Sequence, residues 1–143
     1  MKNKFLFAFL VAAVVAVAGC TSSPSQPQAA PDGNTPVVAD FANIEITASG
    51  FSPSEVTIVQ GGKVTWTNKG TVPSWPASAV HPTHTVYPGS DINKCGTTEE
   101  ENIFDACSGL ETGESWIFTF NEKGSWNYHD HLTAGRFGKI NVV

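Results

Sequence analysis

Apolar and polar residues alternate in a series of short runs along the second two thirds of the chain, and helical spacing is absent there. Ile44 and Ile46 share one face of "NIEITA", Val56 and Ile58 one face of "EVTIV", and Val64 and Trp66 one face of "KVTWTN". Three later runs repeat the pattern: Trp116, Phe118 and Phe120 in "SWIFTF", Trp126 and Tyr128 in "SWNYH", and Ile140 and Val142 in "GKINVV". A period of two marks strands with one buried face. Gly61-Gly62, Gly113 and Gly124 punctuate the runs, so the pattern predicts an all-β, two-sheet antiparallel sandwich of seven or eight strands.

The N-terminal end has a different grammar. Lys2 and Lys4 precede an apolar stretch, Phe5 to Ala18, followed by Gly19 and Cys20, the order of a secretory signal peptide. "VAGC" resembles the lipobox of bacterial lipoproteins, which implies that residues 1–20 are the signal and that Cys20 carries a lipid. The apolar stretch is shorter than the roughly 20 residues of a spanning helix. Residues 21–35, "TSSPSQPQAAPDGNT", contain no aromatic residue and are expected to tether a single domain, residues 36–143, to the membrane. The expected location is extracytoplasmic, on the periplasmic side or the cell surface.

Charge narrows the partners. The chain has 8 basic and 13 acidic side chains; without Lys2 and Lys4 the basic ones fall to 6, for a formal charge of −7. That balance argues against nucleic acid as a partner. With Cys20 assigned to the lipid, Cys95 and Cys107 remain in an oxidising compartment, twelve positions apart in the polar stretch "KCGTTEEENIFDACSG". Pairing them would staple a loop insertion; the competing reading makes one of them a metal thiolate.

An immunoglobulin-like domain would show the same alternation, so motifs must separate the possibilities. "FSPSEVTIVQGGKVTWTNKGTVP", Phe51 to Pro73, resembles the early strands of cupredoxins, with Phe-x-Pro, a strand, Gly and Val-x-Trp-x-Asn. Trp126 to Val142 resembles the C-terminal end of the short-loop, amicyanin-like members, keeping Tyr-His and the final Gly-Lys-hydrophobic strand. The resemblance implies a Greek-key sandwich and a copper site, yet its ligand positions are altered. Asp130 stands where the copper thiolate belongs, Thr133 where a histidine belongs, and Arg136 where the axial methionine belongs. The sole methionine is Met1. Blue-copper sites need a cysteine thiolate with two histidines, so a blue site is not expected.

All four histidines instead lie in two motifs: His81 and His84 in "HPTHTV", and His129 and His131 in "YHDH". Two positions apart on a strand, His129 and His131 share one face and Asp130 takes the other. "HPTH" and "WNYHDH" are similar to histidine segments of multicopper oxidases, which implies that His84, His129 and His131 are ligands, with His81 a fourth. Imidazole donors suit copper and zinc, and tetragonal nitrogen and oxygen sets favour Cu(II), placing copper ahead of zinc. Asp91, Asp130 or water is available to complete the set.

The chain lengthens the link between "NKGTVP" and "HTV", so Ser74 competes with His84 for the first ligand position, and His84 is the choice. Trp75, between prolines in "VPSWP", is expected to cover the metal loop, and Arg136 to cover the site or pair with an acid. The expected function is copper handling or electron transfer with a redox or copper-handling protein. The alternatives are a metal-free interaction module, in which the histidines merely fill an exposed edge, and an oxidase assembled from several copies, because one copy has too few histidines for a full copper cluster.

Overall fold

A computed structural model describes residues 38–143. The expected signal peptide, residues 1–20, the tether, residues 21–35, and Cys20 lie outside the described residues.

Every alternating run forms a strand. They are β1 (Ala39–Thr47), β2 (Gly50–Ser52), β3 (Glu55–Asn68), β4 (Pro76–Ser78), β5 (Ser115–Phe120), β6 (Gly124–Asp130) and β7 (Phe137–Val142). Neighbours run in the order β2-β1-β3-β7-β6-β4, with β5 on the other side of β3. One layer contains β2, β1, the second half of β3 and β5; the other contains the start of β3, β7, β6 and β4.

Two details differ from the expected pattern. "EVTIV" and "KVTWTN" are one long strand, because Gly61-Gly62 bends β3 rather than ending it. Gly61 sits at φ +80, and a Cβ on Gly62 would stand 2.8 Å from the Val59 carbonyl and 3.1 Å from that of Asp40. Before the bend β3 pairs with β7 and, at Ile58 alone, with Ala39 of β1; after it, with β1 and β5. A strand that changes layers needs such a corner. The sandwich is also mixed rather than wholly antiparallel, since β1–β3 and β3–β7 are parallel. Alternation reports which face is buried and carries no information about strand direction.

Trp66, wholly buried, lies between the layers. Its ring centroid is 5.5 Å from those of Phe104 and Tyr128 and 5.0 Å from that of Trp116. Phe104 belongs to the loop closed by the Cys95–Cys107 disulfide. That loop is polar in composition, yet Ile103 and Phe104 are both buried, so the insertion contributes to the core. An isolated bridge between Ala77 and Asp105 docks it against β4.

Candidate metal centre

The β6 strand sorts its residues by face. Tyr128 packs in the core and Trp126 against it, while His129, and His131 just beyond the strand's last residue, take the opposite side, as alternation predicts. Short β4 runs beside β6, pairing Ala77 with His129. From there the chain turns back as residues 79–85, held by hydrogen bonds from Ala79 N–H to Asn127 O (2.9 Å), Val86 N–H to Ala79 O (2.6 Å) and His84 N–H to Val80 O (2.8 Å). His84 adopts φ 59, in the left-handed region where histidine is more common than most side chains. This turn carries both remaining histidines over the end of β6.

All four predicted imidazoles come together. Ring centroids lie 4.8 Å apart for His84–His131, 5.0 Å for His84–His129, 4.7 Å for His81–His131 and 5.5 Å for His81–His129. His84, His129 and His131 each present one ring nitrogen within 4.8 Å of the other two. His84 Nε2 and His131 Nδ1 are 2.8 Å apart. Two nitrogens bound to one ion at about 2.0–2.1 Å stand roughly 2.9–3.4 Å apart in square or tetrahedral arrangements, so this spacing fits a shared ion with little movement. His129 supplies the stronger test. It is 4% exposed, and neither of its ring nitrogens has a hydrogen-bond partner. Buried polar atoms are rarely left unpaired, and a metal would use a lone pair that the protein leaves unengaged.

Neither carboxylate expected to complete the set is among the side chains that converge here. Asp91 accepts hydrogen bonds from the backbone and side chain of Asn93. Asp130 is buried on the other face, where its oxygens accept from Ser74 Oγ (2.8 Å), Trp75 N–H (3.0 Å), Leu132 N–H (3.0 Å) and Arg136 Nη1 (3.2 Å). Ser74 is therefore engaged by Asp130, and it is His84 that joins the histidine cluster. Cys95 and Cys107 are bonded to each other, so neither offers a free thiolate.

The carboxylate that does reach the cluster is Asp105, which sequence reasoning missed. Its Oδ2 lies 2.5 Å from His84 Nδ1, and its Oδ1 accepts from Trp75 Nε1 (2.6 Å) and Cys107 N–H (2.8 Å). No spacing motif links Asp105 to His84. The available signal is general: metal-bound histidines give their second nitrogen to a carboxylate or carbonyl. Trp75 also covers His131, with ring centroids 4.4 Å apart. A cavity of about 200 Å³ opens beside the histidines, lined in part by His81, His129, His131, Thr133, Arg136 and Phe137.

Burial disfavours the charged form of two of these histidines. Burial, then the charges of His84, His81 and His131, lower the His129 pKa from 6.5 to about 4. Burial and the same neighbours also lower His131. For Asp105, burial alone would raise the carboxyl, but hydrogen bonds from His84, Trp75 and Cys107 outweigh it and carry the pKa below the ordinary value. His129 and His131 thus favour the neutral form, the form in which an imidazole binds metal, with an ionised carboxylate behind His84.

The chain is 31% identical over 94 residues to plastocyanin of Silene latifolia subsp. alba, a match covering 64% of this chain and 52% of that protein. It thus spans about half the length of this curated relative. No family profile matches the chain. A purple cupredoxin from Nitrosopumilus maritimus superposes with a TM-score of 0.54 at 24% identity, over 71% of this chain and 99% of that one. A Cu-containing nitrite reductase from Thermus scotoductus SA-01 gives 0.54 at 17% identity, over 82% of this chain and 25% of that one. With the Phe51–Pro73 and Trp126–Val142 segments in their expected strands, these likenesses show that the chain is cupredoxin-like, a β-sandwich of the cupredoxin fold.

Proposed function

We propose that the chain binds copper through His84, His129 and His131, with His81 beside them, in a non-blue site that serves copper handling or electron transfer. The observation that carries this reading is His129, buried with both ring nitrogens unpartnered in a cluster of three further imidazoles. Copper is favoured over zinc because nitrogen-donor sites bind Cu(II) more tightly than Zn(II) in the usual affinity order, and because the nitrite reductase of the same fold contains Cu. When bound, copper would supply a one-electron couple. The protein's own part is to hold the imidazoles in place, keep Asp105 behind His84 and cover His131 with Trp75. The "VAGC" segment supports tethering by a lipid on Cys20, on the extracytoplasmic side, where a redox or copper-handling protein would be the partner.

The test is a Cu(II) titration of the purified chain, followed by EPR and visible absorption, beside His129→Ala/His131→Ala. Stoichiometric binding with nitrogen hyperfine coupling, lost in the double variant and without an intense thiolate band, is expected. No binding above the variant's background would overturn the proposal in favour of a metal-free module. A strong thiolate band would overturn the ligand assignment.

A further inference from the structure

Resting on that reading of the site, the geometry points to Asp105 as a positioning residue: it holds the His84 proton on Nδ1 and so presents the Nε2 lone pair to the other histidines. Both partners are fully buried at the side chain, and their contact is 2.5 Å. An ionised carboxylate only accepts, so the proton of this contact belongs to His84 Nδ1. In a neutral imidazole Nε2 is then the bare nitrogen, and it is the one that lies 2.8 Å from His131 Nδ1.

Asp105 cannot turn freely. Its Oδ1 takes two N–H donors, Trp75 Nε1 and the Cys107 amide. Its backbone bridges Ala77, the residue paired with His129 on β6. The disulfide-closed insertion is therefore joined through β4 to the strand that carries the histidines, and it delivers one oriented carboxylate to the back of His84. Without the insertion, nothing else seen at Nδ1 would choose the tautomer.

The same geometry makes Asp105→Asn a sharp perturbation. The two donors on Oδ1 select the amide oxygen at that position, which turns the amide NH₂ toward His84 Nδ1. An NH₂ there donates, so Nδ1 becomes the acceptor and the proton moves to Nε2, removing the lone pair from the cluster. The substitution changes shape little and inverts one tautomer.

The experiment uses the full chain labelled with ¹⁵N. Long-range ¹H–¹⁵N spectra of the metal-free protein assign the His84 tautomer, and Cu(II) titrations give the affinity. Expected are the Nδ1–H form in the wild type, the Nε2–H form in Asp105→Asn, and Cu(II) affinity reduced about 10–100-fold in the variant. An Nε2–H wild type, or a folded Asp105→Asn that keeps Nδ1–H, would overturn the inference; the wild-type spectrum decides even where the variant does not fold. A tautomer that inverts in a chain taking up no Cu(II) would support the positioning role and sink the copper reading alone. Unchanged tautomer with intact Cu(II) binding would do the reverse.

Discussion

Replacing His129 by glutamine should flatten the pH dependence of the metal-free protein's stability. Glutamine is polar and of similar length but does not titrate, so comparing pH profiles removes most of the effect of altered packing. His129 has an ordinary pKa of 6.5 when unfolded and about 4 in the folded protein, chiefly because of burial. Between those values the unfolded chain binds the proton and the native one does not, so acidification favours unfolding. The contribution is fully present above about pH 6.5 and is lost as pH falls toward about 4. From pH 8 to pH 5 the wild type should lose about 2 kcal/mol on this account. His131, also lowered, adds a loss of the same sign that persists in the variant.

The assay is urea unfolding at several pH values in the presence of a chelator, followed by tryptophan fluorescence, with stabilities from linear extrapolation. Wild type should fall more steeply than His129→Gln by up to about 2 kcal/mol between pH 8 and pH 5. Excess Cu(II) should then stabilise the wild type in proportion to ligand concentration over its dissociation constant, and the variant much less. Parallel profiles for the two metal-free proteins would refute the reasoning. They would mean that His129 takes up protons as readily when folded as when unfolded, and that its nitrogens are not sequestered as the structure shows.

Three further outcomes are expected. Cys95→Ser/Cys107→Ser, which opens a loop with a sequence separation of 12, should cost about 3 kcal/mol in denaturant stability; a loss below about 0.5 kcal/mol would show that buried Ile103 and Phe104 hold the loop unaided. Gly138→Ala should cost about 1–3 kcal/mol by thermal melt, because a Cβ there would meet the ring of Tyr128, its partner across β6 and β7; an unchanged melt would mean that the ring shifts freely. Asp130→Cys, which restores the residue type of the resemblance, should still give no intense thiolate–Cu(II) absorption, because position 130 faces Ser74 and Arg136 rather than the histidines; a blue band would overturn that separation of faces.

Much of the fold was legible because burial alternates on strands. Ile44, Ile46, Val64, Trp66, Phe118, Phe120, Ile140 and Val142 are buried as their spacing implies. The gathering of the four histidines was legible for a related reason: a spacing of two placed His129 and His131 together, and the other two share one short motif, "HPTH". Asp105 was not legible. Its role depends on a bridge to Ala77 and on hydrogen bonds from Trp75 and Cys107, all contacts between segments far apart in sequence or fixed only by the local turn. The unbroken β3 was misread because a glycine pair signals a change of direction without saying whether pairing continues through it.

Asp130 shows what this structure builds at the position where the resemblance expects a thiolate. The resemblance to cupredoxins assigns its ligand positions to Ser74 or His84, Asp130, Thr133 and Arg136. In the structure Ser74 Oγ and Arg136 Nη1 both donate to Asp130 Oδ2, and the Thr133 amide reaches the Asp130 carbonyl at 3.3 Å. Those positions are thus joined by an ion pair and hydrogen bonds. Arg136 also donates to Ala48 O, tying the loop after β6 to the turn that follows β1. A buried carboxylate with four donors is costly to disrupt, so this cluster fixes that end of the sandwich. The opposite face of β6 is thereby left to histidines. Covered by the 79–85 turn, Trp75 and the disulfide-closed insertion, it carries two imidazoles that meet two more from the turn. On this view a one-residue change of face at the end of a single strand separates the metal position that the resemblance implies from the cluster in this protein.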